Sequence, residues 1–295
     1  MSIPVAEVFS RYQTEFESTM QNVRRRTQDI GKVAEQLQSQ AEQIRVQLQP
    51  TVQETTIKLA VAMQDVSPVN ADPSNMRLLF ETYLWSAICL LALSVSQLLS
   101  GYVFTYLLGM VFSTWLSLLL THLVLPVYVW LVVRKRRDQL PDDRRRLMVF
   151  VTAVAAGLLS GHHLSECYMR MMTPPAFLAP LIIAFVCEFA GAKLPNDRRA
   201  FLGATVGVSA LAYLFLGLVL GQLGLKYIIY TLLLSAASAF SLQVALSQLN
   251  QGSLEPTATQ LINITATVTI HTLLGMIFGY GKETAPELPL PLEEN

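Results

Sequence analysis

Between Leu78 and Tyr280 the chain is nearly stripped of charge and divides into apolar runs of about twenty residues, the helix length that crosses about 30 Å of hydrocarbon. No other feature limits the fold as strongly. In lipid a peptide group has no water to bond, so a crossing segment must satisfy its own backbone, as a helix does. Only 14% of the 295 residues are charged, against about 25% in an ordinary soluble domain. Most of those charges lie before Arg77, within Arg134–Arg146, or after Gly281. The expected fold class is all-α: a polytopic membrane bundle of about seven transmembrane helices with an N-terminal cytoplasmic helical arm.

The runs place seven spans at 83–104, 106–133, 147–166, 174–192, 200–221, 226–249 and 257–280. Pro126 falls inside the long second span and predicts a kink there. The seventh span is the most polar, and a partly re-entrant segment is the alternative reading for it. The loops set the orientation. Arg134–Arg146 carries seven basic residues and Lys193–Arg199 three, while the opposite loops carry almost none. Basic loops stay in the cytoplasm, and the N-terminus goes with them. The acidic tail then falls on the far side, or in the cytoplasm if the last segment does not cross.

Before the spans, residues 5–65 show apolar positions at three- and four-residue steps, among them Val5, Val8, Tyr12, Phe16, Ile30, Leu37 and Ile44. This is the pattern of an amphipathic or weak coiled-coil helix, interrupted at Pro50. Ser67–Asn75, with two prolines, reads as a linker. The domain plan is therefore residues 1–75 as cytoplasmic arm and linker, 79–281 as transmembrane domain and 282–295 as a flexible acidic tail. The first residues lack the basic patch and apolar core of a signal peptide. Cys89, Cys167 and Cys187 sit in or beside apolar runs and read as small buried side chains.

Polar residues inside spans are costly, so each invites an explanation. Glu188 lies about one turn from the cytoplasmic end of the fourth span, within reach of Lys193 or a neighbouring helix. His162, His163 and Glu166 stand at the outer end of the third. His162 and Glu166 share a face at metal-ligand spacing, but two ligands do not make a site. The nearby GLLSG stretch suggests an intramembrane serine protease only superficially, because no paired histidine follows on a later helix. Ser235, Ser238 and Ser241 run down one side of the sixth span. Asn263, Thr267 and His271 recur every four residues on the seventh. Ser241 and Thr267 both fall roughly 12–15 Å deep at 1.5 Å per residue, where the two stripes can face each other. Hydrogen-bonded helix glue accounts for the serines. His271 stands out as a pH-sensitive group. Gly275 and Gly279 permit close helix packing, and the Asn263 glycosylation pattern lies inside a span and is discarded.

From Leu78 to Tyr280 the layout resembles the Bax inhibitor-1 (transmembrane Bax-inhibitor-motif) family. A charged loop precedes a glycine-rich span (RRRLMVFVTAVAAGLLSGHHLSEC), then a proline-started span (PPAFLAPLIIAFVCEFAGA) and a glycine-led one (DRRAFLGATVGVSALAYLFLG). The sixth span ends in a Phe-x-x-Gln element. The resemblance implies a calcium-leak protein of the endoplasmic reticulum or another internal membrane that restrains apoptosis and stress signalling, with Ca2+ as transported ion and no cofactor. It also implies a pore or proton-sensing group at Ser241, Asn263, Thr267 and His271. The family's two acidic positions correspond here to Ser241 and Thr267, so both carboxylates are absent. A non-conducting regulator or scaffold acting through the arm is the alternative. A small-solute transporter lacks a clear pair of broken helices, and no enzyme chemistry is expected. The expected partners are the bilayer and proteins bound through residues 5–65, with no nucleic acid.

Overall fold

The computed structural model describes residues 46, 49, 50, 53–135, 141–165, 167, 168, 173–194 and 197–281. Most of the expected arm, residues 136–140 of the basic loop, Glu166 and the tail from 282 lie outside the described residues. The chain forms two compact units, Met1–Val61 and Ala62–Asn295. In the first, residues 53–61 are helical.

The second unit is helical apart from two two-residue strands. Its elements are α1 (Pro73–Leu99), α2 (Thr105–Val111), α3 (Thr114–Leu119), α4 (Leu125–Lys135), α5 (Asp142–Leu164), β1 (Cys167–Tyr168), α6 (Leu178–Ala190), α7 (Arg198–Val219), α8 (Leu225–Asn250), α9 (Pro256–Phe278) and β2 (Tyr280–Gly281). The strands pair antiparallel, Cys167 with Gly281 and Tyr168 with Tyr280. They tie the end of α5 to the end of α9. Among the described residues, six stretches are long and apolar enough to cross a membrane: Pro73–Val111, Thr114–Val132, Asp142–Leu164, Arg198–Val219, Leu225–Asn250 and Pro256–Phe278.

Three expectations change. The break between the first two spans is not near residue 105. A π-helical turn, Ser100–Phe104, joins α1 to α2, and the chain breaks only at Phe112 and Ser113. Ser113 caps the next helix by accepting the Leu116 N–H. A straight helix from Pro73 to Val111 would be about 58 Å long at 1.5 Å per residue, far more than a bilayer needs. The π turn lets α2 swing across the end of α5, where Gly101 meets Gly161 and Gly109 meets the His162 ring.

The kink expected at Pro126 is a second π turn, Leu120–Val124, just before it. Proline has no N–H, and its ring clashes with the carbonyl four residues back. Widening the preceding turn relieves both.

The fourth crossing is not a full-length helix. The 13 residues of α6 reach about 20 Å. Its C-terminal end packs at the start of α1, where Gly191 abuts Met76. Its N-terminal end stops deep in the bundle beside Tyr213. The segment leading into it contains Pro174, Pro175 and, within the first turn, Pro180. A non-helical strip buried in an apolar bundle must satisfy every N–H, and prolines have none to satisfy. Tyr213 serves what remains: its hydroxyl accepts the Ala179 N–H at 3.2 Å and donates to Ala176 O at 3.4 Å. Tyr227 in turn donates to Tyr213 O at 3.0 Å. The seventh segment, read as a span at 257–280 with a re-entrant form as the alternative, is one unbroken 23-residue helix, α9.

Two apolar clusters hold the unit together. One gathers Leu90, Leu93, Val129, Val149, Ala153, Tyr213, Leu234 and Val268. The other gathers Val69, Leu79, Tyr83, Ile183, Phe201, Leu242 and Leu246. The closest helix pair is α1 with α5. A Cβ on Gly157 would sit 2.5 Å from Leu93 O and 2.7 Å from Ser96 Cβ, and one on Gly161 would strike the Gln97 backbone. Gly203 on α7 has nothing within 4 Å of such a Cβ. Gly157→Ala is therefore expected to lower stability by about 1–3 kcal/mol through overpacking, read as a lower unfolding midpoint in detergent. Gly203→Ala should leave the midpoint unchanged or raise it. Equal effects at the two sites would contradict the close α1–α5 contact.

Candidate functional site

Beside its apolar clusters the bundle buries many polar side chains, while large apolar ones face outward. Ser86, Ser96, Ser100, Thr121, Ser160, Thr205, Ser209, Ser241, Thr259 and Gln260 are all buried. Trp115 is 81% exposed, Phe189 72% and Phe215 68%. Side chains that can bond to one another line the helix contacts, and the polar contacts fall at three levels.

At one end is a clamp. Arg198, the first residue of α7, is only 2% exposed. Its Nη1 pairs with Asp65 Oδ2 at 2.7 Å and donates to Ser67 Oγ at 3.2 Å. Its Nε and Nη2 donate to Gln243 Oε1 and Gln243 O, at 2.9 and 3.1 Å. Gln243 Nε2 donates both protons, to Ala62 O at 2.9 Å and Asp65 O at 2.7 Å. Asn250 Nδ2 holds Ser67 Oγ at 3.0 Å and Pro68 O at 2.9 Å. Burial raises the Asp65 carboxyl pKa, but hydrogen bonds from the Ser67 hydroxyl and N–H and from Arg198 outweigh it and hold the group at about 2, below its ordinary 3.8.

At the middle level the Tyr83 hydroxyl lies 3.2 Å from Ser241 Oγ. Ser241 already donates to Ser238 O at 3.1 Å, so the phenol is the donor of the pair. Asn263 Nδ2 donates to Ser86 Oγ at 3.3 Å. Toward the other end, Gln97 Nε2 donates to Ser160 Oγ at 2.9 Å, and Gln97 Oε1 lies 3.3 Å from His271 Nδ1. That oxygen can only accept, so Nδ1 carries the proton. The buried Nε2 of His271 has no partner among the described residues. The Tyr230 ring packs on the imidazole, centroids 5.8 Å apart.

The residues singled out in sequence therefore separate. Ser241, Asn263 and His271 each bond to a residue of α1, at two different levels, and Ser241 bonds to Tyr83 instead of reaching across to α9. Thr267 is buried on α9. Ser238 bonds back to Leu234 O at 2.9 Å, while Ser235 Oγ is buried without a partner among the described residues. His162 and His163 are buried near the end of α5. Glu166 lies outside the described residues. Glu188 points outward from α6. Cys89 and Cys187 are buried free thiols. Among the described residues there is no group of three or more His, Cys, Asp or Glu side chains that could hold a metal ion.

Arg198 escaped the sequence reading, which took it for a loop charge. A cation in the first turn of a helix opposes the helix dipole, and that misplacement was the available signal. Gln243 was visible as the end of the Phe-x-x-Gln element, without a role.

The comparison with known families corrects the resemblance. The profile of the family described as Interactor of ZYG-11 matches residues 3–281. No curated protein and no solved structure matches the chain. The match is not to the Bax inhibitor-1 family, so the calcium-leak, apoptosis and stress functions drawn from that likeness fall with it. The physical reason is plain: order and spacing of apolar spans recur in unrelated bundles, and the two acidic positions that would have carried the function are Ser241 and Thr267 here.

The clamp makes stability depend on pH with a definite sign. A carboxylate whose folded pKa is depressed stabilises fully above its unfolded value, and the contribution is lost as pH falls through the folded one. Asp65→Asn should cost about 1.5–3 kcal/mol at pH 7, a discounted figure because the Asp65 side chain is 20% exposed. The gap between wild type and variant should close between about pH 4 and pH 2, followed by thermal unfolding in detergent. A gap that persists at pH 2 would contradict the ion pair.

Proposed function

We propose that this protein, which belongs to the Interactor of ZYG-11 family, is a membrane-embedded binding protein. Its helical bundle sits in the bilayer, and its N-terminal residues are offered to a protein partner of the ZYG-11 kind on the cytoplasmic side. The observation that carries the protein-binding reading is the extent of the family match. It begins at residue 3 and runs through the arm as well as the bundle. The reading is of a binder without catalytic role or cofactor.

The bilayer placement is supported by the distribution of side chains. Leu211, Phe215, Leu218, Leu232, Leu273, Met276 and Ile277 are exposed around the bundle, a far larger apolar surface than soluble monomers carry. Charges cluster at one end: Arg146 bridges Glu81 at 3.5 Å and stacks over Trp85 at 5.5 Å, and Arg145 bonds Asp142. The Asp65–Arg198 clamp lies at that same end. The basic loops of the sequence leave from there, so the positive-inside rule assigns it to the cytoplasm. On this reading the N-terminus is cytoplasmic.

Two measurements check this. In sealed microsomes, a tag on the N-terminus should be digested by added protease, and a glycosylation acceptor inserted between Gly221 and Gln222 should be modified. The reverse pattern would overturn the orientation. The full chain should capture ZYG-11 from solution, and a chain lacking residues 1–61 should lose at least tenfold in capture. Equal capture by the truncated chain would place the binding surface on the bundle and sink the arm's role.

A further inference from the structure

Residues 65–72 join the arm to the bundle and have no regular secondary structure, yet they are held at more points than many helices. Val69 is buried in the core beside Leu79, Phe201 and Leu246. Gln243 takes the carbonyls of Ala62 and Asp65, Arg198 takes the Asp65 carboxylate and the Ser67 hydroxyl, and Asn250 takes Ser67 and Pro68. Asn250 Oδ1 also accepts the Asn70 N–H at 3.4 Å. A connector serving only as a tether has no use for this. A buried guanidinium is expensive unless fully partnered, and here it is placed on the connector.

We propose that Arg198, Gln243 and Asn250 form a clamp that fixes residues 62–70 to α7 and α8, and that partner binding by the arm depends on this connector being held. The proposal rests on the arm being the partner-binding element. Gln243 is the hub. Arg198 has only protons to give and the two carbonyls can only accept, so the orientation of the amide is forced. Every polar atom of the side chain is used.

This geometry supplies a selective test. Gln243→Glu keeps an acceptor for Arg198 and adds a charge to pair with it, so the buried guanidinium stays compensated. It removes both protons that hold Ala62 O and Asp65 O, and it competes with Asp65 for Arg198. The full chain in nanodiscs would be treated with proteinase K and the cuts mapped by mass spectrometry, alongside unfolding midpoints and capture of ZYG-11. In Gln243→Glu, cleavage within 62–72 is expected to rise at least tenfold with a midpoint no lower than that of Asp65→Asn, and capture is expected to fall severalfold. Asn250→Ala, whose contacts are all exposed, should act in the same direction more weakly, and it serves should Gln243→Glu fail to fold. Unchanged cleavage in both variants would overturn the clamp. Raised cleavage with unchanged capture would overturn its coupling to binding. The proposed role of the arm fails separately, if the chain lacking residues 1–61 captures ZYG-11 as well as the full chain does.

Discussion

A polar group taken out of water and left unpaired costs several kcal/mol in an apolar medium, and the arrangement of this bundle follows from avoiding that cost. The long helices satisfy their own backbones. Where the backbone departs from a regular helix, something compensates. Prolines remove N–H groups ahead of α6, and the phenol of Tyr213 bridges its buried start. A π turn makes room before Pro126. Ser86, Thr205, Ser209 and Ser238 return their hydroxyl protons to carbonyls one turn back on the same helix. The same rule governs Arg198, whose three nitrogens all find oxygens.

With apolar side chains outside, hydrophobic burial does little to bring helices together in lipid, and close packing and hydrogen bonds take its place. The structure uses both. Gly157 and Gly161 bring α5 against the α1 backbone, and the Ser100 hydroxyl donates to Leu158 O at 2.5 Å across the same seam. Gly217 leaves room for the Tyr227 ring. Helix α1 packs against α5, α6 and α9 and shares hydrogen bonds with Ser241, Asn263 and His271. It is the shared wall of the bundle. The polar residues of the interior thus bond to one another and to helix carbonyls.

Most helices were legible in the sequence because apolar length is a direct readout of membrane thickness. The reach of α7 and α8 and the loop at Gly221 follow the apolar runs, whereas α5 begins at Asp142, five charged residues before its apolar run. The misses have physical causes. A window of hydrophobicity cannot distinguish a helix from an apolar proline-rich strip, so the fourth crossing read as longer than α6 is. Nothing in composition separates a helix end from a π turn, so the true break at Phe112 and Ser113 was placed too early. His271 and Asn263 were recognisable as buried polar residues, but their partners Gln97 and Ser86 come from a helix about 175 positions earlier, which no local spacing encodes. The family likeness misled because it rested on the order of spans, a property set by the bilayer and not by ancestry.

The shortness of α6 bears on how it is held in lipid. A 13-residue helix is well below the roughly twenty residues that cross a bilayer unaided. Its first turn is completed by Tyr213, 34 residues further along. In a bilayer α6 therefore depends on α7 for a bond that its own short helix cannot supply, and the two form one unit.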